Sequence, residues 1–440
     1  AGESEYSNRT LYVLRSATKS VRSKRFSALL SAVEELEDVL DYDRLDIEFA
    51  MDQNLKPYLL QVRPITTSST WDPDIEMKLN KSLEDIHAFV SKRLKPMDGV
   101  FGETTVLGQM PDWNPAEMIG RSPKQLSYSI YEKLITKHAW RIAREQMGYL
   151  TPEGKHLMID LGGQPYIDTR LSFHSYLPGG LPSRISEKLV NKWVKNLSKN
   201  PHLHDKIEFE VAITIYSFDI DEKLESLVGE ELSVEEKRIY KECIRAHSVE
   251  LIEGKNDGSI YKAMERIDFL SNKQKTYQEL IESTNLEHLP KLIEDCINYG
   301  TIPFSILARH GFIAKTLLGS LEKNKILTKE EVSNLENSIE TIAGELVNDL
   351  DKCANSKISK NNFMKKYGHL RPGTYDIQSL RYDQMVGFFN SMQPAKESIK
   401  NLKEFDFNDS QKVAINNLFK SIGSEFDSKK FYEYVKKAIA

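Results

Sequence analysis

Four polar side chains on two short β-prone runs carry the clearest chemistry in this sequence. Residues 45–51 (LDIEFAM) and 57–65 (PYLLQVRPI) flank the turn-prone Asp52-Gln53-Asn54 and read as a β-hairpin. Pro64 ends the second strand because it has no N–H for a ladder. Successive side chains in a strand point to opposite faces. Asp46 and Glu48 therefore share one face of the first strand, and Gln61 and Arg63 share one face of the second. Pairing Glu48 with Gln61 and Asp46 with Arg63 sets carboxylate, amide and guanidinium side by side. Leu45, Ile47, Phe49, Met51, Tyr58, Leu60 and Val62 then form the opposite, apolar face. Carboxylate and amide oxygens are hard ligands of the kind Mg²⁺ takes beside phosphate oxygens, and the planar arginine fork matches phosphate. The same residues also suit a simple cross-strand ion pair on a solvated face, worth a few tenths of a kcal/mol.

The elements that would hold this hairpin are short. Thr10–Arg15 is a β-like run, and Phe26, Leu29, Leu30, Val33, Leu36 and Leu40 have the 3-4 spacing of one buried helical face. From Trp71 onward the pattern turns helical. Ser233-Val-Glu-Glu236 and Thr328-Lys-Glu-Glu331 have capping-box spacing. Leu335, Ile339, Ile342, Leu346 and Leu350 continue the second as an amphipathic stripe. Further helices are expected over 115–147, 184–199, 259–298, 410–422 and 427–440. A Gly162-Gly163 turn between two alternating runs predicts a second hairpin within 156–177, and 209–218 (FEVAITIYSF) reads as either a buried strand or a buried helix. The expected fold class is α+β, predominantly helical: residues 1–70 with the first hairpin, then a large helical domain over 71–440 containing the second.

Two further groups could line an anionic pocket. His369 and Arg371 sit in the Gly/Pro-rich loop Gly368-His-Leu-Arg-Pro-Gly373, near Tyr375, Asp376 and Arg381, and loops carry function disproportionately. Arg170 and His174, on the second hairpin, are candidates for the same cleft. A loop packed between helices and an Asp168–Arg170 ion pair are the structural alternatives. The His202-Leu-His204-Asp205 string suits a turn better than a metal site, because residues two apart face one side only in a strand.

Composition narrows the class. Net charge is −5, so no global basic field recruits nucleic acid or an anionic membrane. Gly and Pro together number 38 of 440 residues, too few for a low-complexity or collagen-like chain. Cys243, Cys296 and Cys353 lie far apart with no CxxC pair, which disfavours a disulfide scaffold or cysteine zinc site and points to a reducing cytoplasm. No run of about 18 uncharged apolar residues is present. The chain opens on Ala-Gly-Glu-Ser rather than Met, and the expectation is a piece cut from a longer protein.

The string DIEFAMDQNLKPYLLQVRPITT resembles the end of the ATP-grasp nucleotide-binding domain of the phosphoenolpyruvate synthase and pyruvate phosphate dikinase family. Asp46-Ile47-Glu48-Phe49-Ala50 and Leu60-Gln61-Val62-Arg63-Pro64-Ile65-Thr66 match that family's pattern, with Phe49 in place of the usual Trp. The resemblance implies Glu48 and Gln61 as ligands of Mg²⁺ and ATP, and Arg63 as a phosphate contact. Residues 110–136, 162–178 and 367–383 resemble, more loosely, a helical region that receives the acceptor in rifampin phosphotransferases. The family's phosphoryl-carrying His, in a Gly-Gly-x-x-Ser-His type loop, matches none of the ten His residues here, and no phosphoenolpyruvate-binding barrel follows. The implied protein is an ATP-dependent phosphotransferase of which this portion, inactive alone, supplies nucleotide ligands and a helical docking or acceptor domain. Its implied partners are a nucleotide, a small-molecule acceptor, and the remaining ATP-grasp lobe and phosphohistidine domain of the same protein, with no nucleic acid and no membrane. A non-catalytic helical scaffold that keeps a decayed hairpin is the other reading.

Overall fold

The computed structural model describes residues 13–65, 74–254, 258–281, 286–372, 378–391 and 405–440. The chain is mostly helical, 63% helix against 8% strand, with two small antiparallel sheets. It divides into two compact units, Ala1–Ala88 and Phe89–Ala440.

In the first unit, Arg15–Ser20 forms a 3₁₀ turn, which corrects the strand expected there; Thr10 to Tyr12 lie outside the described residues. Arg15 clamps Glu37 with two bonds of 2.7 and 2.8 Å. The helix Lys24–Leu40 forms, but the face expected to be buried is only half-buried, with Leu40 exposed, and the helix ends at Asp41, whose φ of 49° lets the chain turn back. Strands β1 (Leu45–Met51) and β2 (Pro57–Pro64) follow, and their register places Asp46 opposite Arg63 and Glu48 opposite Gln61, as alternation predicts. The register then slips, so that Phe49 faces Leu59 and Leu60 is left over as a bulge. The apolar face expected to run through Leu60 is thereby broken, and Leu60 is 66% exposed. No described side chain of this unit is buried.

The second unit holds the core. The helix Ser183–Lys199 buries Ile185, Leu189, Trp193 and Leu197, and Ile302–Lys323 buries Ile306, Ile313, Leu317 and Leu321 at the same helical spacing. These pack with Tyr240, Ile244, Phe419 and Phe431 into one large cluster. A second cluster, around Trp140, Leu157, Ile167 and Leu171, backs the sheet in which β3 (Leu107–Gly108) and β4 (Met158–Leu161) flank β5 (Gln164–Asp168). The Gly162-Gly163 turn is present, with φ of 65° and 83°.

Several expected elements differ. The 115–147 helix is three pieces, Pro115–Met118, Gln125–Tyr131 and Ala139–Gln146, with a π-turn Glu132–Thr136 before the last. Of the expected 259–298 helix, Ser259–Ile281 and Leu289–Cys296 are helical, with a 3₁₀ turn Leu286–His288 before the second. The stripe behind Thr328 is split between Lys329–Asn337 and Ile342–Ala354, because Thr341 caps a new helix by accepting from the Gly344 N–H. Residues 207–211 are a single π-turn followed by extended chain, neither of the alternatives for 209–218. Both capping boxes form. Glu331 also accepts from Gln411 Nε2 at 2.9 Å, which ties the box to a distant helix. Thr328→Ala is therefore expected to lower stability by about 1 kcal/mol, read as a shifted urea midpoint at unchanged slope.

Candidate functional site

The hairpin face assembles as its sequence implies. Arg63 Nη2 lies 2.8 Å from Glu48 Oε1 and 3.3 Å from Asp46 Oδ2, and all three side chains are more than half exposed. Gln61 stands beside Glu48, its side-chain amide without a hydrogen-bond partner among the described residues. Two carboxylates and an amide oxygen thus share one open surface with a guanidinium. In water such an ion triad is worth a fraction of a kcal/mol, so Mg²⁺ or a phosphate can displace its members at small cost. Hard oxygen donors of this kind, few in number, suit a Mg²⁺ ion that keeps its remaining ligands from water and phosphate.

Arg170 is not available as an exposed cation to the pocket expected with His369 and Arg371. The second run of the hairpin stops at Asp168, which caps the helix Thr169–His174 by accepting from the Arg170 N–H. Arg170 is thus on a helix rather than a strand, fully buried, and its Nη atoms donate to the carbonyls of Arg93, Lys95 and Gly102 at 2.8–3.3 Å. Asp168 is equally committed, accepting from Arg93 Nε at 2.6 Å and Thr105 Oγ1 at 2.5 Å. These are bonds that hold residues 93–106 to the core, and they leave no exposed cation for an anion. His369 is exposed on the loop after the helix Lys360–Tyr367, and Arg371 Nη1 donates to the Ser379 carbonyl. Asp376 and Tyr375 lie outside the described residues. His202 belongs to a 3₁₀ turn, Pro201–Leu203, and no group of three or more His, Cys, Asp or Glu fit for a metal occurs among the described residues.

The sequence reading missed a buried ionic cluster at the centre of the second unit. Arg309 donates from Nη1 to Glu208 Oε2 at 2.5 Å, from Nε to Tyr149 Oη at 3.2 Å, and from Nη2 to the Thr214 carbonyl at 3.0 Å. The other oxygen of Glu208 accepts from Tyr176 Oη at 2.9 Å and lies 3.7 Å from Arg144. Arg144 donates to Asp112 Oδ1 at 3.2 Å and stacks over the Tyr176 ring. Two guanidiniums and two carboxylates are buried together. Burial raises the Asp112 carboxyl, and the neighbouring Arg144 pulls it back. Asp112 and Asn114 both take positive φ, 52° and 41°. The one available signal was Arg309-His310 inside an otherwise apolar helical run, on the side of Ile306 and Ile313.

Two cavities among the described residues of this unit are relevant, the first lined by Glu208 and Thr214 of the cluster. One, of about 300 Å³, is bounded by Glu208, Thr214, Lys223, Lys315 and Lys323. Within it Asp219 accepts from Lys323 at 2.9 Å and pairs with Lys223 at 3.3 Å. The other, of about 820 Å³, is bounded by Gly148, Gly179, Cys243, His247 and Ser259. His247 meets the Tyr149 ring edge-on at 4.5 Å, and its Nε2 is buried with no partner.

No family model, curated protein or solved structure matches the chain. No described helix is long and apolar enough to cross a membrane.

Removing one member of a buried pair leaves the other charge without compensation. Arg309→Leu is expected to cost about 3–5 kcal/mol by urea unfolding. Acid acts through the imidazoles. Burial lowers His174, His247 and His310 to about 4, with Arg309 adding to the effect on the last two. The unfolded chain takes these protons near pH 6.5, so the stabilisation is complete above that pH and is lost as pH falls toward 4. Each ring is expected to cost on the order of 1–2 kcal/mol by pH 5, checked by melting temperatures between pH 7.5 and 5.

Proposed function

We propose that the β1–β2 hairpin is part of a Mg²⁺–nucleotide site in an ATP-dependent phosphotransferase like phosphoenolpyruvate synthase. In this reading Glu48 and the Gln61 amide oxygen hold Mg²⁺, Arg63 contacts phosphate, and the helical unit offers a docking or acceptor surface. The observation that carries the reading is the register: Glu48 faces Gln61 and Asp46 faces Arg63 on one exposed face. Mg²⁺ held by Glu48 and Gln61 would supply positive charge to offset that of the phosphates. The chain's own part is to fix the metal between two cross-strand neighbours and to set a guanidinium one residue pair away. Phosphoryl transfer depends on such clamping together with an acceptor presented in line. Within these 440 residues no Ser-His carrier loop occurs, so the carrier would come from elsewhere.

A second reading, a helical binding or scaffold module that retains the hairpin, is favoured by one observation. Arg170 is buried and spent on backbone carbonyls, so it offers no exposed cation to an acceptor pocket.

Calorimetric titration of Mg·ATP separates the two. The nucleotide reading expects Mg²⁺-dependent binding that Glu48→Ala abolishes and Gln61→Ala weakens about tenfold, a loss of about 1.4 kcal/mol. Binding of the same affinity in Glu48→Ala would sink it.

A further inference from the structure

The 820 Å³ cavity has a hydroxyl on its wall that is joined to a buried imidazole. Ser259 begins the helix Ser259–Ile281 and lines the cavity. Its Oγ lies 2.7 Å from His310 Nε2, and His310 Nδ1 lies 3.0 Å from Tyr434 Oη. A hydroxyl, an imidazole within hydrogen-bond reach and a third group that orients the imidazole are the parts of an activated nucleophile. Three segments distant in sequence bring them together: Ser259, the central helix Ile302–Lys323 and the last helix Ser428–Ile439.

The surroundings suit the same chemistry. His310 is fully buried, so its proton traffic runs through Ser259 and Tyr434 rather than bulk water. The cavity rim is glycine-lined and tight. A Cβ on Gly179 would meet the Gly148 carbonyl at 2.9 Å, and one on Gly254 would meet Gly258 Cα at 2.8 Å. His247, one-tenth exposed on the same wall, has an Nε2 without a protein partner. Glu145, Glu250 and Glu253 outnumber Lys262 among the charged lining residues.

We propose that Ser259 is a nucleophile with His310 as its base, and that the cavity takes small esters of neutral or cationic alcohols. Ser259 Oγ attacks the ester carbonyl carbon as its proton passes to His310 Nε2. The carbon–oxygen bond to the alcohol then breaks, and the alcohol leaves with that proton. Water repeats the sequence on the acyl-serine, using the same base, and releases the carboxylic acid. Tyr434 is a positioning residue. It accepts the Nδ1 proton of His310 and so keeps Nε2 free to take the serine proton. This acyl transfer is independent of the nucleotide reading of the hairpin.

The test is covalent labelling of the full chain with an alkyl fluorophosphonate, in which the Oγ–P bond forms and fluoride leaves. Mass spectrometry is expected to place the adduct on Ser259, forming about tenfold faster than on any other serine and only in the native protein. His310→Gln, with a native circular dichroism spectrum, is expected to slow it by about 100-fold. Absence of the adduct from native protein, equal labelling of heat-unfolded protein, or wild-type labelling of folded His310→Gln overturns the proposal. Because His310→Gln removes a buried ring and can fail to fold, ¹⁵N NMR of the wild-type imidazole supplies a second reading. A proton on Nδ1 is expected, with the tautomer shifting in Tyr434→Phe. A proton fixed on Nε2, donated to Ser259, overturns the proposal as well.

Discussion

The bond between Arg309 and Glu208 is the contact around which the helical unit is arranged. Arg309 projects from the middle of the central helix Ile302–Lys323 and reaches three separate segments: Tyr149 after the helix Ala139–Gln146, the Thr214 carbonyl in extended chain, and Glu208 on a π-turn. Glu208 passes the linkage on to Tyr176 and Arg144, and Arg144 passes it to Asp112. A buried charge is tolerated only when paired and hydrogen-bonded. Each group therefore fixes the position of the next, and the arrangement rests on charge as much as on apolar contact. Two cations face two anions, so the cluster is neutral as a whole.

The local backbone is shaped to serve this arrangement. An isolated π-turn over Ile207–Val211 leaves Ile207 and Val211 buried while Glu208 reaches Arg309. Ala212 is extended, and the Thr214 carbonyl, outside any strand, accepts from a guanidinium. Asp112 is held at a φ that L-residues visit at a cost, which is sustained because its carboxylate meets Arg144 inside the fold. Some capacity is left unfilled, at Asp112 Oδ2, Arg144 Nη1 and Ser172 Oγ. Unfilled buried polar atoms are exceptions that call for a physical reason, and Glu208 and Thr214 of the cluster also line the 300 Å³ cavity.

The legibility of these features in the sequence follows from their range. Alternation and capping act over a few residues, so the Asp46–Arg63 and Glu48–Gln61 pairs and both capping boxes could be read directly. The bulge at Leu60 could not, because an extra residue changes no residue type and only the partner strand reveals the slip. Arg170 was misplaced because the period changes from two to 3.6 at Asp168, where a strand residue doubles as a helix cap. The split at Thr341 was hidden because the apolar stripe continues across the break. The Arg309–Glu208 pair spans 101 residues, and no local pattern links them. The trace that exists is a charged pair, Arg309-His310, on the buried side of an apolar helix, a position charges occupy only when partners await them.

Exposure separates the ionic groups of this chain into two kinds. Around Arg309, each side chain is enclosed and its bonds cannot be traded for others without leaving a charge uncompensated. That geometry fixes a fold and cannot exchange ligands. On the hairpin, Asp46, Glu48 and Arg63 are held by a two-stranded ladder but open to water, so a divalent ion or phosphate can replace their mutual contacts at small cost. Ser259 stands between these extremes. Its partner His310 is locked by Tyr434 in the core, while its own hydroxyl lines a cavity. Chemistry requires both a rigid support and an exchangeable surface; the ionic centre has the first without the second, and the hairpin face has the second.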